Sequence, residues 1–250
     1  MHLTLSDLTF LQLALLALSA MFTGMSKVGV PGVSLLAIPF MAIIFGGKQS
    51  TGVLLPILMM ADFFAIAYYR RHAQWKYLVK ILPWAFVGLG LALWVGKIVN
   101  EQQFKELISI VVFICIGLMI WRDRKKDKQY IPDNLWFAAM MGVLGGFASM
   151  IGNAGGPIFA IYLLAMKLPK NNFIGTTAWF FIIINFSKFP LHLFVWKTIS
   201  WSTLTIDLVT FPAVAIGALL GVWFVKILPE KTYRTFVFIV TAISAFILVI

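Results

Sequence analysis

Two glycine-rich stretches contain the residue types that could bind a small anion. The first runs Gly24-Met25-Ser26-Lys27-Val28-Gly29-Val30-Pro31-Gly32, and the second runs Ser149-Met150-Ile151-Gly152-Asn153-Ala154-Gly155-Gly156-Pro157. A glycine-rich turn that leads into a helix exposes backbone N–H groups at the positive end of the helix dipole, so it can hold an anion without a formal charge. The alternative is a tight turn whose small residues let two helices pack closely. Because the same turn occurs in both halves of the chain, we favour the anion site.

The predicted ligands in these turns are of two kinds, small residues that leave the backbone accessible and polar side chains. They are Ser26, Lys27, Gly29 and Gly32 in the first turn and Gly152, Asn153, Gly155 and Gly156 in the second. The cation is present in one turn only, because the position that matches Lys27 is occupied by Met150.

Ionisable residues inside apolar segments are a second source of chemistry, since burying one costs roughly 3 kcal/mol on membrane-insertion scales. Asp62 lies twelve residues into an apolar segment, and Asn185 occupies the matching position of a later segment. Lys188 and His192 follow Asn185 on the same helical face. We predict that Asn185 and Lys188 contribute to the anion site. The alternatives are that Lys188 extends its charge to the outer surface and that His192 lies at the membrane interface.

Asp62 is the strongest candidate for a proton-coupling group. A lone carboxylate deep in an apolar helix is cheap to bury only when it is neutral or paired. Asn185 resembles a permanently protonated aspartate, which predicts one titrating site per protomer. The structural alternative is that Asp62 does no more than pair with Lys27.

The composition determines what kind of element must hold these residues. The chain has 250 residues, of which 61% are hydrophobic and 12% charged, and its mean hydropathy is +0.96. Charged residues make up about a quarter of an ordinary soluble domain. Apolar runs long enough to cross about 30 Å of hydrocarbon recur along the whole sequence. We therefore predict an all-α, polytopic membrane protein without a separate soluble domain.

The sequence also contains an internal repeat. A shift of 123 positions aligns residues 26–63 with residues 149–186 without a gap, and three of the identities are glycines. Further along, a shift of 129 aligns Pro83 and Gly88 with Pro212 and Gly217. We predict a first transmembrane repeat over residues 1–121, a basic cytoplasmic linker over 122–133 and a second transmembrane repeat over 134–250.

Each repeat divides into five apolar segments, of which the second is short. The segments span residues 7–24, 32–46, 50–69, 78–97 and 104–121, and then 134–149, 157–167, 172–194, 203–226 and 232–250. If all ten cross the membrane with the N-terminus outside, fifteen of the twenty Lys and Arg residues lie inside, as the positive-inside rule requires. An odd number of crossings inverts the second repeat relative to the first, and secondary transporters with this architecture bind substrate between the repeats.

Several other classes of protein do not fit the sequence. The net charge of +11 comes from short clusters at segment ends, which is typical of membrane topology and not of nucleic-acid binding. No ATP-binding motif is present. The single Cys115 lies in an apolar run and argues against a metal site, since a metal ion needs several ligands, and we predict no cofactor. An intramembrane enzyme would need clustered carboxylates or a Ser/His pair, so we predict that the protein is not an enzyme.

The duplicated glycine-rich turn, the short helix after it and a Gly about 20 residues further on resemble the TauE/SafE family of sulfite exporters. The resemblance covers nearly the whole chain. It implies transport of a small sulfur-containing or organic anion, such as sulfite or a sulfonate, often out of the cell. It also implies eight membrane helices, in which case the short segments would be re-entrant.

The expected function is therefore secondary transport of a small anion across a bacterial inner membrane, with a proton or another ion as the coupling partner. The lipid bilayer is the expected surroundings, and assembly into a homodimer stays open. A passive anion channel is the alternative, because the same ligands would serve it. An intramembrane enzyme is a more distant one.

Overall fold

The computed structural model shows a bundle of helices. It describes residues 5–29, 33–104, 106–108, 110–111, 114, 134–166, 168–227, 229 and 232. Within these ranges every regular element is a helix and there is no strand. The prediction of an all-α membrane protein is confirmed, since five of these helices are long and apolar enough to cross a bilayer.

Four helices of the first half lie wholly within the described residues. α1 spans Phe10–Val28, α2 spans Ala37–Phe45, α3 spans Gly47–Tyr69 and α4 spans Trp75–Ile98. Gly46 separates α2 from α3 with a φ of 85°, a backbone conformation that favours glycine. Residues 101–104, 106–108 and 110–111 are also helical.

The second half contributes five helices. α5 spans Leu135–Gly152, α6 spans Gly155–Ala165, and α7 spans Lys170–Pro190. A π-helical turn over Leu191–Val195 continues α7. α8 and α9 follow, and their bounds are Trp201–Val209 and Phe211–Ile227.

The last two helices replace the single segment that we predicted over residues 203–226, because the chain bends by 47° between them. Both the backbone N–H and the hydroxyl of Thr210 donate to the carbonyl of Asp207. Such bonding by a threonine hydroxyl competes with the regular helical ladder and bends helices. The matching position in the first half is Ile81, which has no hydroxyl, and there α4 continues unbroken although it contains Pro83.

The second helix of each half is short, as predicted, with 9 residues in α2 and 11 in α6. Helices of this length span only about 14 and 17 Å. Our prediction for the start of the turn before α2 was wrong, however, because α1 continues through Ser26 and Lys27. A glycine inside a helix costs only about 1 kcal/mol, so Gly24 does not end α1.

The matching helices α3 and α7 run antiparallel to each other. Three hydrogen bonds mark successive levels along the pair, and they join Trp179 to Arg70, Asn185 to Asp62 and Gln49 to Thr198. Residue numbers therefore fall along α3 while they rise along α7. Equivalent helices that point in opposite directions are the property that defines inverted repeats.

The two halves are also interlocked by exchange of their first helices. α1 packs along α9, and α5 packs along α4, so the first helix of each half lies on the fourth apolar segment of the other. A Cβ on Gly217 would come within 2.0 Å of the Met21 carbonyl oxygen, and one on Gly88 within 2.1 Å of the Val143 carbonyl oxygen. These two glycines match at the shift of 129, so the same close approach occurs in both halves.

The basic residues separate between the two ends of this bundle. We call the end with Gly47 and Ile98 end A, and the end with Tyr69 and Trp75 end B. The described lysines and arginines near end B are Arg70, Arg71, Lys76, Lys80, Lys170 and Lys226, and those near end A are Lys48, Lys97 and Lys197. Lys27 and Lys188 belong to neither end, because they are buried with 8% and 0% of their surface exposed.

The excess of basic residues at end B predicts that end B faces the cytoplasm. In a background with Cys115→Ala, Lys97→Cys should react with an impermeant maleimide on spheroplasts, and Arg71→Cys should react only after the membrane is opened. Both positions are exposed, so access to the reagent depends on the membrane alone. The reverse pattern would overturn the orientation, and labelling of both from one side would overturn the placement of the two ends.

Candidate functional site

A small cavity lies between the two halves, bounded by α1, α3, α5, α6 and α7. Its volume is about 30 Å³, which is room for one or two water molecules. The polar residues that line it are Ser26, Lys27, Ser34, Ser149, Asn153, Thr177, Asn185 and Lys188. Leu58, Ala160 and Phe181 form an apolar part of the wall.

Lys27 and Asp62 form a buried ion pair beside this cavity. The Lys27 Nζ lies 2.8 Å from the Asp62 Oδ1, and Asp62 is completely buried. The same ammonium lies over the ring of Phe181 at 4.0 Å from its centre. A cation on an aromatic face gains further electrostatic stabilisation when water is excluded.

Asp62 and Asn185 are the two residues at matching positions of the repeats, and they contact each other. The Asn185 Nδ2 donates to the Asp62 Oδ2 at 2.6 Å. The next residues in each half, Phe63 and Phe186, also pair, with ring centres 5.8 Å apart. Equivalent residues can touch only near the axis that relates the two halves, so the cavity lies at that axis.

Lys188 completes the polar network on the other side of Asn185. Its Nζ donates to the Asn153 Oδ1 at 2.6 Å, to the Ser149 carbonyl at 2.9 Å and to the Asn185 Oδ1 at 3.3 Å. Lys188 has no exposed surface, so the alternative in which it reaches the outer surface is wrong.

Asn153 lies at the C-terminal end of α5 and caps that helix. It adopts the left-handed conformation, with a φ of 55°, which asparagine tolerates better than most residues at a helix C-terminus. Its side chain then joins both halves, since Nδ2 donates to the Thr51 carbonyl at 2.9 Å while Oδ1 accepts from Lys188.

Among the described residues of the site, the positive charges exceed the negative charges by one. Of the two buried lysines, Lys27 pairs with the carboxylate of Asp62, whereas Lys188 donates, within the described part of the chain, only to the neutral oxygens of Ser149, Asn153 and Asn185. Gly156 lines the cavity from the first turn of α6, where backbone N–H groups have no acceptor within the helix. An excess cation in a water-poor site is stabilised by a bound anion, so the arrangement suits an anionic ligand.

The other predicted glycines lie beside the cavity without lining it. A Cβ on Gly29 would come within 2.0 Å of the Val225 side chain, and one on Gly155 within 2.7 Å of the Gly145 carbonyl oxygen. Gly152 lies against Ile108. These positions allow helices to approach closely, and a direct role for them in binding stays a prediction. Gly32 lies outside the described residues.

Sequence reasoning missed several residues that the cavity includes. Thr177 and Phe181 precede Asn185 by eight and four positions, so they share its helical face on α7. Ser149 matches Ser26 at the shift of 123, and that identity was the available signal. No feature of the sequence distinguished Ser34 as a cavity residue. His192 is completely buried, so its interfacial assignment was wrong.

Asp207 is also buried, inside α8. Within the described part of the chain its carboxylate has no hydrogen-bond partner.

Comparison with known proteins gives one finding. The family model of the sulfite exporter TauE/SafE matches residues 16–248, nearly the whole chain. Neither the curated proteins nor the solved structures include a match.

The contribution of the Lys27–Asp62 pair to the free energy of unfolding can be measured. Asp62→Asn leaves a buried ammonium without its counter-ion, a change that typically costs about 3–5 kcal/mol. We expect a clear fall in the melting temperature of the purified protein, and we expect Lys27→Met in the same chain to restore most of it. Lys97→Met, which removes an exposed cation, is the control and should change little. A double variant as unstable as Asp62→Asn would contradict the pairing.

Proposed function

The chain belongs to the TauE/SafE family of sulfite exporters, and on that premise we propose that it exports sulfite, a sulfonate or a similar small anion across a bacterial inner membrane by coupled secondary transport. The family consists of membrane transporters, which makes an enzymatic role unnecessary. The observation that carries the proposal is the cavity at the axis of the repeats, where Asp62 is the acid among the described residues that offsets the charges of Lys27 and Lys188.

The chemistry of the cavity favours an oxyanion. Ammonium groups and hydroxyls bind sulfur oxyanions through charge-assisted hydrogen bonds, which are stronger than neutral ones. Ser26, Ser149 and Thr177 supply hydroxyls, and the two lysines supply the charge. A cavity of about 30 Å³ has room for one or two water molecules, so it must widen even for sulfite and must widen further for a longer organic anion. We therefore favour a compact group such as sulfite or the head of a sulfonate.

The apolar wall suggests how a sulfonate with a short tail is accommodated. Leu58 and Phe181 are matching residues of the two repeats, and both line the cavity. A tail placed against them would lie on the side of the Lys27 ammonium. Movement of α3 against α7 would enlarge the space between them.

The inverted repeats provide the route for movement of the anion. In such transporters one repeat rocks against the other around a fixed site, so that the site opens to each side in turn. Here the site lies at the contact between α3 and α7, and each half contributes one lysine to it. A passive channel would use the same residues, and only a carrier accumulates its substrate against a gradient.

Anion binding can be tested by thermal stabilisation, because a ligand that binds only the native state raises its melting temperature. The panel is sulfite, sulfate, thiosulfate, sulfoacetate, taurine and simple carboxylates. We expect sulfite or a sulfonate to stabilise the protein by about 2.7 kcal/mol at a hundred times its Kd. Lys188→Met should abolish the response, and Lys97→Met should leave it intact. A response that is equal in both variants would place the site elsewhere.

We further propose that Asp62 carries the coupling proton. When Asp62 is ionised it holds Lys27, and when it is protonated Lys27 becomes available to the anion. Proton and anion are then bound in the same state and move together, so net export requires an outward anion gradient larger than any inward proton gradient. Asn185 keeps the carboxyl in position from the other half. The pairing in the structure supports this exchange of partners, and it equally supports a structural role.

Transport in liposomes separates the two roles of Asp62. We expect a pH gradient to drive uphill sulfite uptake by the native protein. Asp62→Asn should abolish this uptake while downhill exchange stays measurable, because a permanently neutral side chain cannot carry a proton. Gradient-driven uptake by the Asp62→Asn, Lys27→Met double variant would exclude coupling through Asp62. A native protein that never accumulates sulfite would favour the channel.

A further inference from the structure

The last turns of α7 lie between the central cavity and end A. Lys188 lines the cavity, and His192 lies one turn further along the same face of the helix. There the chain leaves the regular α-helix, since Leu191–Val195 form a π-helical turn after Pro190. π-turns are rare and occur frequently at functional sites.

His192 is a buried polar side chain with one ring nitrogen unused. Its exposed surface is 0%, and its Nδ1 lies 2.8 Å from the Thr198 Oγ1. Within the described residues the Nε2 has no hydrogen-bond partner. Leaving a buried polar atom without a partner costs free energy, so such an atom needs an explanation. When Nδ1 accepts from Thr198, Nε2 carries the proton and becomes a hydrogen-bond donor.

Two lysines lie near this imidazole. Lys188 precedes it by one helical turn, and Lys48 and His192 both lie beside the ring of Trp196. The Lys48 Nζ donates to the Gly96 carbonyl at 2.5 Å and lies 5.1 Å from the centre of the Trp196 ring. The Glu101 carboxylate accepts the backbone N–H groups of Gly47 and Lys48 at the start of α3.

We propose that His192 and Lys48 form a second anion-binding site, which receives the transported oxyanion from Lys188 on its way to end A. This inference rests on the proposed function and extends it. The His192 Nε2 proton and the Lys48 ammonium are the donors, and the electrostatic field of two lysines around one imidazole favours a negative charge between them.

Comparison with the first repeat shows that this second site exists on one side only. At the shift of 123, Lys188, His192 and Lys48 match Ala65, Tyr69 and Asn171, none of which is a cation. The path from the central cavity towards end B therefore lacks the equivalent charges. The asymmetry gives the anion a stepwise route of positive charges towards end A, the end that we predict to face outside.

The ring of Trp196 lies beside both residues of the proposed second site. A Cβ on Gly96 would come within 2.3 Å of the indole, so the ring sits directly against that backbone. The indole also contacts His192 edge-on at 5.0 Å and Phe104 at 5.6 Å between ring centres. Because only 7% of Trp196 is exposed, we expect its ring to shift when an anion binds between His192 and Lys48.

The first experiment observes His192 directly. The chain has three histidines, so in protein labelled with ¹⁵N-histidine the signal of His192 is assigned by comparison with His192→Gln. We expect sulfite to shift the Nε2 resonance of His192. In Lys48→Met the shift should require about tenfold more sulfite, the factor associated with one charge-assisted hydrogen bond. Lys97→Met, which removes an exposed lysine at the same end, should titrate like the native protein.

The second experiment measures sulfite exchange in proteoliposomes. Lys48→Met should slow exchange by about tenfold, whereas Lys48→Arg should restore most of the rate, since it keeps the charge. Thermal stabilisation by sulfite should persist in Lys48→Met, because the central cavity keeps both Lys27 and Lys188 and still binds the anion.

The outcomes separate this inference from the function on which it rests. If sulfite stabilises the native protein but neither shifts His192 nor depends on Lys48, the second site is overturned and the transport function stands. If sulfite neither stabilises nor is exchanged by the native protein, the proposed function fails and the second site fails with it.

Discussion

The hydrogen bond between Asp62 and Asn185 is the interaction around which the site is organised. It joins matching positions of the two repeats, and it therefore lies at the axis that relates them. On one side the carboxylate holds Lys27, and on the other the amide oxygen accepts from Lys188. A charge buried in a membrane protein is stable only when it is paired or hydrogen-bonded. One contact thus allows both lysines to lie inside the bundle.

The charged residues at the cavity differ between the repeats, whereas the glycines at the closest helix contacts are shared. Gly88 and Gly217 match, and each lets a helix of one half contact the backbone of the other. Lys27, by contrast, matches Met150, and Lys188 matches Ala65. A symmetric scaffold would offer the same surroundings on both sides of the axis. These differences between matching residues make the two sides of the axis unequal. A protein that moves its substrate in one direction can use such an inequality.

The short helices explain how polar backbone is tolerated at this depth. α6 begins after Asn153 and Ala154, and its first turn lies at the cavity and not at the lipid. Irregular backbone at membrane depth is stable only where protein or water surrounds it. The left-handed Asn153 ends α5 there and directs its own side chain to Lys188 and Thr51. The turn that breaks the helix is therefore also part of the site.

The sequence alone determined the class of protein, the duplication and most helix bounds, because hydropathy and periodicity are local properties of the chain. It also identified Lys27, Asp62, Asn185 and Lys188, since charged or polar residues are conspicuous in apolar segments. Tertiary structure alone decided which of the glycines line the cavity, that His192 is buried, and that Asn153 binds Lys188. These features depend on the antiparallel crossing of α3 and α7, which joins residues more than a hundred positions apart, and no local pattern encodes the register of that crossing.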